Sequence, residues 1–519
     1  MNSRIELNDH FLVIRVKDRK PVVIDRKLFA ENKLDNNFSP TIAIDFAYII
    51  GVYQVEKVWF IVAAKEVTKL CSEYDIYSIN SFEIIQVTPG NNHDARKLVE
   101  RGLYLSSLFF STSLDLSNTL IGRFRHEQPR ESFIWNSSSI RSFSQMFPSY
   151  ENIIQPVIAG FMRAYTIRDI VYLLISRRSS IRAGTRFWMR GADDEGNVAN
   201  FVETEQIIRF ENNELSFVQI RGSIPLGWSQ YPDLTRLPSL RLLDSVTNEK
   251  RLTAHFDKLY KEYGDIIAVS LTDIGGREKE ITQTYNALGS RAPHVRFQYF
   301  DFHKECSKMR YGNISKLVAQ IQDGIDTMGW THIQGGNLIK KQIGVIRTNC
   351  IDCLDRTNVV QSTFAKIILE KQLQSINVSI NHDDLKIRSA WTDNANAISI
   401  QYAGTPALKT DFTRTGKRTK MGALSDGKNA IVRYYMNTCV DGSRQDSYDI
   451  ITGAAKAQSI KKNGFIVSVL MSIIMILSAI FLMITGKKRF AKKKMLEARM
   501  QLVNTPRFRE INFSEEPIE

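Results

Sequence analysis

The stretch Ile346-Arg-Thr-Asn-Cys-Ile-Asp-Cys-Leu-Asp-Arg-Thr-Asn-Val-Val-Gln361 decides how this chain is read. It follows the apolar run Gly344-Val-Ile346 and opens onto a helical pattern from Asn358, so it has the parts of a phosphate-binding loop between a strand and a helix. Backbone N–H groups of such a loop point inward, and the helix start adds the positive end of its dipole. Both favour a thiolate at Cys350, the form in which cysteine attacks. Arg356 offers a planar fork that can hold two phosphate oxygens and balance the charge of an in-line transfer. Asp352 and Asp355 lie inside the loop, where a carboxyl among phosphate charges can keep a proton and give it to the leaving oxygen. Of the two, Asp352 is the preferred donor.

A cysteine and an arginine at this spacing also arise by chance, and other readings compete. Cys350 and Cys353 form a Cys-x-x-Cys pair that suits half a zinc site or a redox pair, but no second pair follows at zinc-site spacing. Cys353 itself reads as a small packed residue or as a thiol that protects Cys350 by a reversible disulfide. Neither a metal nor a cofactor is expected.

Farther out, 519 residues with 43% hydrophobic and 24% charged side chains are ordinary globular material. Five scattered cysteines do not make a disulfide framework, and the start lacks the apolar core of a secretory signal. A body folding in the reducing cytosol is expected. The formal charge of +14 favours anionic partners: nucleic acid, anionic lipid or phosphorylated substrates. No nucleic-acid motif or lysine-and-aromatic platform is found, so nucleic acid is not expected.

Short β-branched and aromatic runs at Phe11 to Val16, Pro21 to Asp25, Thr41 to Asp45 and Val58 to Val62 predict strands of a β-rich module over 1–135, with a helix from Asp94 to Phe109. Residues 136–450 alternate strands (Phe217 to Ile220, Ile266 to Leu271) with helices (Thr247 to Tyr263, Ser315 to Met328, Gln361 to Leu373), an α/β body. After a linker at 451–463, residues 464–486 hold a charge-free apolar run from Phe465 to Thr485. At about 1.5 Å per residue this just spans a bilayer core of roughly 30 Å. A basic, then acidic, polar tail occupies 487–519.

The loop resembles that of the Sac-domain phosphoinositide phosphatases. Their hallmark Arg-x-Asn-Cys-x-Asp-Cys-Leu-Asp-Arg-Thr-Asn is matched from Arg347 to Asn358 without departure. Family-like blocks stand in order around it, among them Asp115 to Leu120, Phe133 to Asn136, Gly184-Thr-Arg186, Arg190 to Gln206, Ser216 to Gln230, Trp391 to Asn394, Tyr402 to Thr405, Leu408 to Arg418 and Asp426 to Asp446. The resemblance implies an N-terminal β-rich Sac module packed on an α/β cysteine-phosphatase module, within an α/β (α+β) fold class. It implies metal-independent hydrolysis of a phosphatidylinositol phosphomonoester through a phosphocysteine. It is greatest to the integral-membrane branch of endoplasmic reticulum and Golgi, acting chiefly on phosphatidylinositol 4-phosphate, with 3-phosphate as a second substrate. Asn349, Ile351, Cys353, Leu354, Thr357 and Asn358 are then expected around the phosphate. The basic cluster Lys409, Arg414, Lys417 and Arg418 is expected either to face anionic lipid or a ring phosphate or to be a solvated face.

That branch typically carries two adjacent apolar segments, whereas one is found here. A single span puts the tail across the membrane from the head, yet seven basic residues follow the segment (487–506) against four before it (444–463). A single post-translationally inserted span with a cytosolic body is the expectation; a re-entrant hairpin at Met475 to Ser478 is the alternative. Two other functions fit parts of the pattern. A lipid-sensing tether would use the pocket only for binding, and a protein phosphatase would use the same cysteine chemistry.

Overall fold

Every residue of the Gly344–Asn349 strand is buried, because neighbours flank it on both edges and helices cover both faces. The computed structural model describes residues 3–454 except 18, 33–37, 72, 91, 151, 233–234, 236–237, 308–309, 380–384, 409, 411–413 and 415–418. On one side Gly344–Asn349 pairs in parallel with Asp265–Ser270, which pairs in parallel with Val295–Tyr299. On the other side it runs parallel to Asn213–Arg221. Such parallel strands need crossover connections: the Ser245–Tyr263 helix lies between Asn213–Arg221 and Asp265–Ser270, and the Ile314–Met328 helix between Asp265–Ser270 and Gly344–Asn349.

From Asn213–Arg221 outward the same sheet turns antiparallel. Val202–Phe210, Ile170–Arg178, Ile158–Ile167, Leu108–Ser111, Ile76–Gln86, Val58–Cys71 and Tyr48–Val55 follow in order, giving a path of eleven strands in a thirteen-stranded sheet among the described residues. The expected boundary at residue 135 falls between Leu108–Ser111 and Ile158–Ile167, which pair with each other. One sheet therefore runs through both expected modules. A separate five-stranded antiparallel sheet is built from residues 4–45 and packs its Ile5, Leu12, Ile14, Val22 and Ile24 into a shared core with Phe143 and Phe147.

The strands expected at Phe11 to Val16, Pro21 to Asp25, Thr41 to Asp45 and Val58 to Val62 are present, the last longer than expected, to Cys71. The expected helix from Asp94 spans His93–Ser106; its last residues belong to the Leu108–Ser111 strand, entered through Ser107 in the left-handed region. The Asp355–Ser375 helix begins six residues earlier than the apolar pattern from Gln361 suggests, because Asp355 and Arg356 already lie in its first turn. It lays Val360, Phe364 and Ile368 against Ile267, Val269 and Ile346. On the opposite face Leu252, Phe256 and Leu259 of the Ser245–Tyr263 helix cover Ile220, Ile266 and Val345. Cys350 thus leaves the carboxyl end of a parallel strand clamped between two layers, where open α/β sheets place their ligands.

The mixed α/β architecture agrees with the expected fold class. The apolar run at 464–486, the tail at 487–519 and all but the first residues of the linker lie outside the described residues. Among the described residues no helix is long and apolar enough to cross a membrane.

Candidate active site

Residues 350–354 connect the strand to the Asp355–Ser375 helix in one tight turn. Cys350 is 2% exposed, and Thr357, one helical turn into the helix, points its hydroxyl at the sulfur at 3.4 Å. Cys353 takes up φ +54°, a left-handed conformation that costs a non-glycine residue of order 1 kcal/mol or more. Its thiol donates to the Gly222 carbonyl (2.8 Å), with the Cys350 carbonyl as a second acceptor in reach (3.2 Å), and burial pushes it up to about 12. Cys353 is therefore packed beneath the loop as a neutral thiol, and both cysteines are free.

Arg347 anchors the base of the turn. It donates to Asn349 Oδ1 (2.9 Å), to the Ser223 carbonyl (2.6 Å) and to His255 Nε2 (2.9 Å). His255 can accept there because Nδ1–H meets the Gly196 carbonyl at 2.8 Å; burial, with Arg347 alongside, holds the imidazole well below its usual range and therefore neutral. Gly196 has φ +79°, and a Cβ there would sit 2.4 Å from the His255 backbone nitrogen. The acidic loop Asp193 to Asn197 is a structural turn, and its glycine is what lets it support Arg347.

Above the loop opens a cavity of about 740 Å³. It brings together Cys350, Asp352, Leu354, Asp355 and Arg356 from the predicted site, with Arg186, Asp273, His303, Tyr311 and Arg433 from elsewhere. Arg356 is gripped from below: Nη1 donates to the Leu271 carbonyl and to Asp273 Oδ1, both at 3.0 Å, and Nη2 to Glu278 Oε1 at 2.9 Å. These groups and Cys350 outweigh the effect of burial, so the guanidinium stays charged.

The two loop acids have opposite environments. Asp352 receives Arg186 Nε and Nη2 at 2.9 and 2.6 Å and Arg190 Nη2 at 2.7 Å. Burial opposes its charge, but the two guanidiniums overcome that and hold the carboxyl far below the usual range. A group so held has no proton to give, which corrects the preference for Asp352 as donor. Asp355 is raised by burial, which outweighs Arg433 at 3.7 Å and the Leu408 N–H at 2.9 Å. Of the two acids it is the one whose proton is retained more readily.

The side chains of several residues expected around the phosphate are engaged away from the cavity. Asn349 is buried under Arg347, Ile351 packs toward the Ser245–Tyr263 side, and Asn358 reaches the Trp391 carbonyl at 3.4 Å. Cys353 and Thr357 are buried beneath the loop, Thr357 reaching only the sulfur. Arg414 is half-exposed and donates to Asp393 at 3.2 Å, outside the cavity wall. Lys409 and Lys417 lie outside the described residues. His303 also lines the cavity.

Arg221 is the residue that sequence reasoning passes over. The run Arg221-Gly-Ser-Ile-Pro-Leu226 reads from sequence simply as a turn, whereas Arg221 ends the Asn213–Arg221 strand opposite Thr348, is 1% exposed, and among the described residues no protein acceptor reaches its Nε or Nη2. Burial lowers its affinity for a proton to about 10, while Cys353 and Cys350 act to keep it charged. Arg186 and Arg190 stand four residues apart in blocks that carry the family resemblance, but nothing local says that they converge on Asp352.

Known proteins carry the same arrangement of sequence. Residues 47–307 match the model of the SacI homology domain. The phosphatidylinositol-3-phosphatase SAC1 of Drosophila melanogaster is 38% identical over 73% of this chain and 69% of its own length. The phosphatidylinositol-3-phosphatase SAC1-B of Danio rerio is 39% identical over 74% and 70%. The phosphoinositide phosphatase SAC8 of Arabidopsis thaliana is 33% identical over 87% of this chain and 84% of its own. With a turn built around a buried cysteine under a cavity edged by three arginines, and with identity at this level over most of both chains, the protein belongs to the Sac-domain phosphoinositide phosphatase family.

Proposed function

We propose that the chain hydrolyses a phosphomonoester of a phosphatidylinositol phosphate, chiefly the 4-phosphate, with the 3-phosphate named for its animal relatives as a second substrate. The observation that carries this reading is the buried Cys350 beside Thr357 at the floor of a cavity edged by Arg186, Arg356 and Arg433. The Cys350 thiolate attacks phosphorus in line, and the inositol oxygen leaves with a proton from Asp355, giving a phosphocysteine. The Asp355 carboxylate then takes a proton from water, whose oxygen attacks phosphorus; inorganic phosphate departs and the thiolate is restored.

Arg356 stabilises the equatorial oxygens during both steps. To do so its fork must turn part of its bonding from Asp273 and Glu278 to the phosphate, so those carboxylates hold the guanidinium charged and ready between turnovers. Asp352, clamped by Arg186 and Arg190, fixes the loop from the other side and acts as a positioning residue.

The apolar run at 464–486 is proposed as a membrane anchor at the endoplasmic reticulum or Golgi, with the body facing the cytosol. A tag at Glu519 protected from protease in sealed microsomes fits the single span; a digestible tag fits the hairpin. The substrate reading is tested with the wild type and Cys350→Ser on every mono- and bisphosphorylated phosphoinositide. Release from the 4-phosphate that disappears in Cys350→Ser is expected. Undiminished turnover by Cys350→Ser would overturn the mechanism, and saturable binding without product by the wild type would favour a lipid-sensing module.

A further inference from the structure

The Lys420–Tyr435 helix forms part of the cavity rim, with Ala430, Arg433 and Tyr434 in the lining. Only Arg433 is buried along its length. It donates to Thr405 Oγ1 and to the Pro406 carbonyl, both at 2.8 Å, and so ties the helix to the body. The other side carries large apolar side chains in the open: Met421 is 74% exposed, Leu424 70%, Ile431 69% and Val432 39%. At about 100° per residue these four fall within an arc of roughly 100°. Lys428 lies inside the same arc and Lys420 at its edge, whereas Asp426, the helix's one acid, lies on the half shared with Arg433.

An apolar stripe studded with lysines and free of acids suits one environment, the boundary between anionic headgroups and acyl chains. Soluble surfaces tolerate single exposed apolar residues, but a contiguous row on a rim helix calls for an occupant. Its place beside the catalytic cavity says which one, because a lipid substrate has to be presented there without leaving its leaflet.

We propose that this outer face is the membrane-docking surface of the catalytic body. Met421, Leu424 and Ile431 reach the acyl boundary, Lys420 and Lys428 meet anionic headgroups, and the substrate headgroup rises over the rim into the Cys350 cavity. The choice of lipid as occupant rests on the lipid-phosphatase reading of the site.

The test uses the full chain reconstituted in phosphatidylcholine vesicles with a minor fraction of phosphatidylserine. Leu424→Trp should gain fluorescence quenched by brominated lipid acyl chains beyond that of the parent protein; no added quenching overturns the proposal, including the case of a protein occupant. In the triple variant Met421→Ser, Leu424→Ser, Ile431→Ser, turnover of long-chain phosphatidylinositol 4-phosphate in the vesicle relative to a monodisperse short-chain analogue should fall by about tenfold or more. An unchanged ratio overturns the proposal, as does an equal fall on both substrates, which would make the face a support of the cavity. A wild type inert on both substrates but quenched at position 424 would sink the phosphatase reading and leave the docking surface standing.

Discussion

Two clusters of arginine in this protein differ in how completely they are paired. In the antiparallel half, Arg177 donates to Glu203 (2.8 Å), Glu205 (2.7 Å) and the carbonyls of Leu116 and Asn118, while Arg130 adds a second fork onto Glu203. Each charge there has its counter-charge. Around the Cys350 turn the pairing is incomplete: Arg186 and Arg190 share Asp352, and Arg356 is held by Asp273 and Glu278. Among the described residues, however, no protein acceptor reaches Arg221 at Nε or Nη2 or Arg190 at Nε, and Arg186, Arg356 and Arg433 face the cavity. The first cluster holds the sheet together. The second keeps positive charge in reserve for a thiolate and a phosphate dianion, at a cost to stability that the paired cluster and the apolar cores offset.

If that contrast is right, substitutions in the two clusters should have opposite signatures. Glu203→Gln should cost the fold about 3 to 5 kcal/mol in denaturant unfolding, because it strands buried guanidiniums. Burial alone would raise Glu203, but Arg130 and Arg177 bring it down to about 2. Its contribution is therefore fully present above the unfolded carboxylate range, near 4.3, and is lost as pH falls toward about 2. A variant as stable as the parent at neutral pH would erase the contrast.

Arg356→Lys should keep the fold and lower kcat by roughly 10²- to 10³-fold, since an ammonium cannot span two phosphate oxygens. A change confined to KM would return Arg356 to the structural class. Asp355→Asn should slow the single-turnover release of inositol lipid by about 10²-fold and flatten its pH profile. The parental rate, which needs the protonated acid, should fall as pH rises through the raised Asp355 titration. A parental profile that survives the substitution would point to a different donor. Smallest is Arg221→Met, expected to lower the rate of Cys350 alkylation by iodoacetamide about tenfold while leaving the fold as stable or more so, because an unpaired buried cation is removed. Loss of stability without loss of reactivity would make Arg221 another member of the paired cluster.

What was legible in the sequence followed the range of each interaction. The loop from Ile346 to Gln361 is local: a buried strand, a turn and a helix read in order, with Cys350 and Arg356 supplied by the same stretch. The N-terminal strands were equally readable because their alternation is local. Arg186 and Arg190 meet Asp352 only because the sheet brings residues more than 160 positions apart together. No periodicity encodes that, and without those guanidiniums Asp352 looks like the better acid. The strands Ile170–Arg178 and Val202–Phe210 escaped notice for a related reason: Arg177, Glu203 and Glu205 look like surface charge and are buried in ion pairs. Arg221 reads as a turn residue since its significance lies in what does not bond to it.

The central claim, that Cys350 carries the phosphoryl group, is tested most directly by rapid denaturing quench of the full chain during turnover of radiolabelled phosphatidylinositol 4-phosphate, followed by peptide mapping. The account predicts label on the peptide that holds Cys350 in the wild type and none in Cys350→Ser. Phosphate released at full rate with no label on that peptide would contradict it.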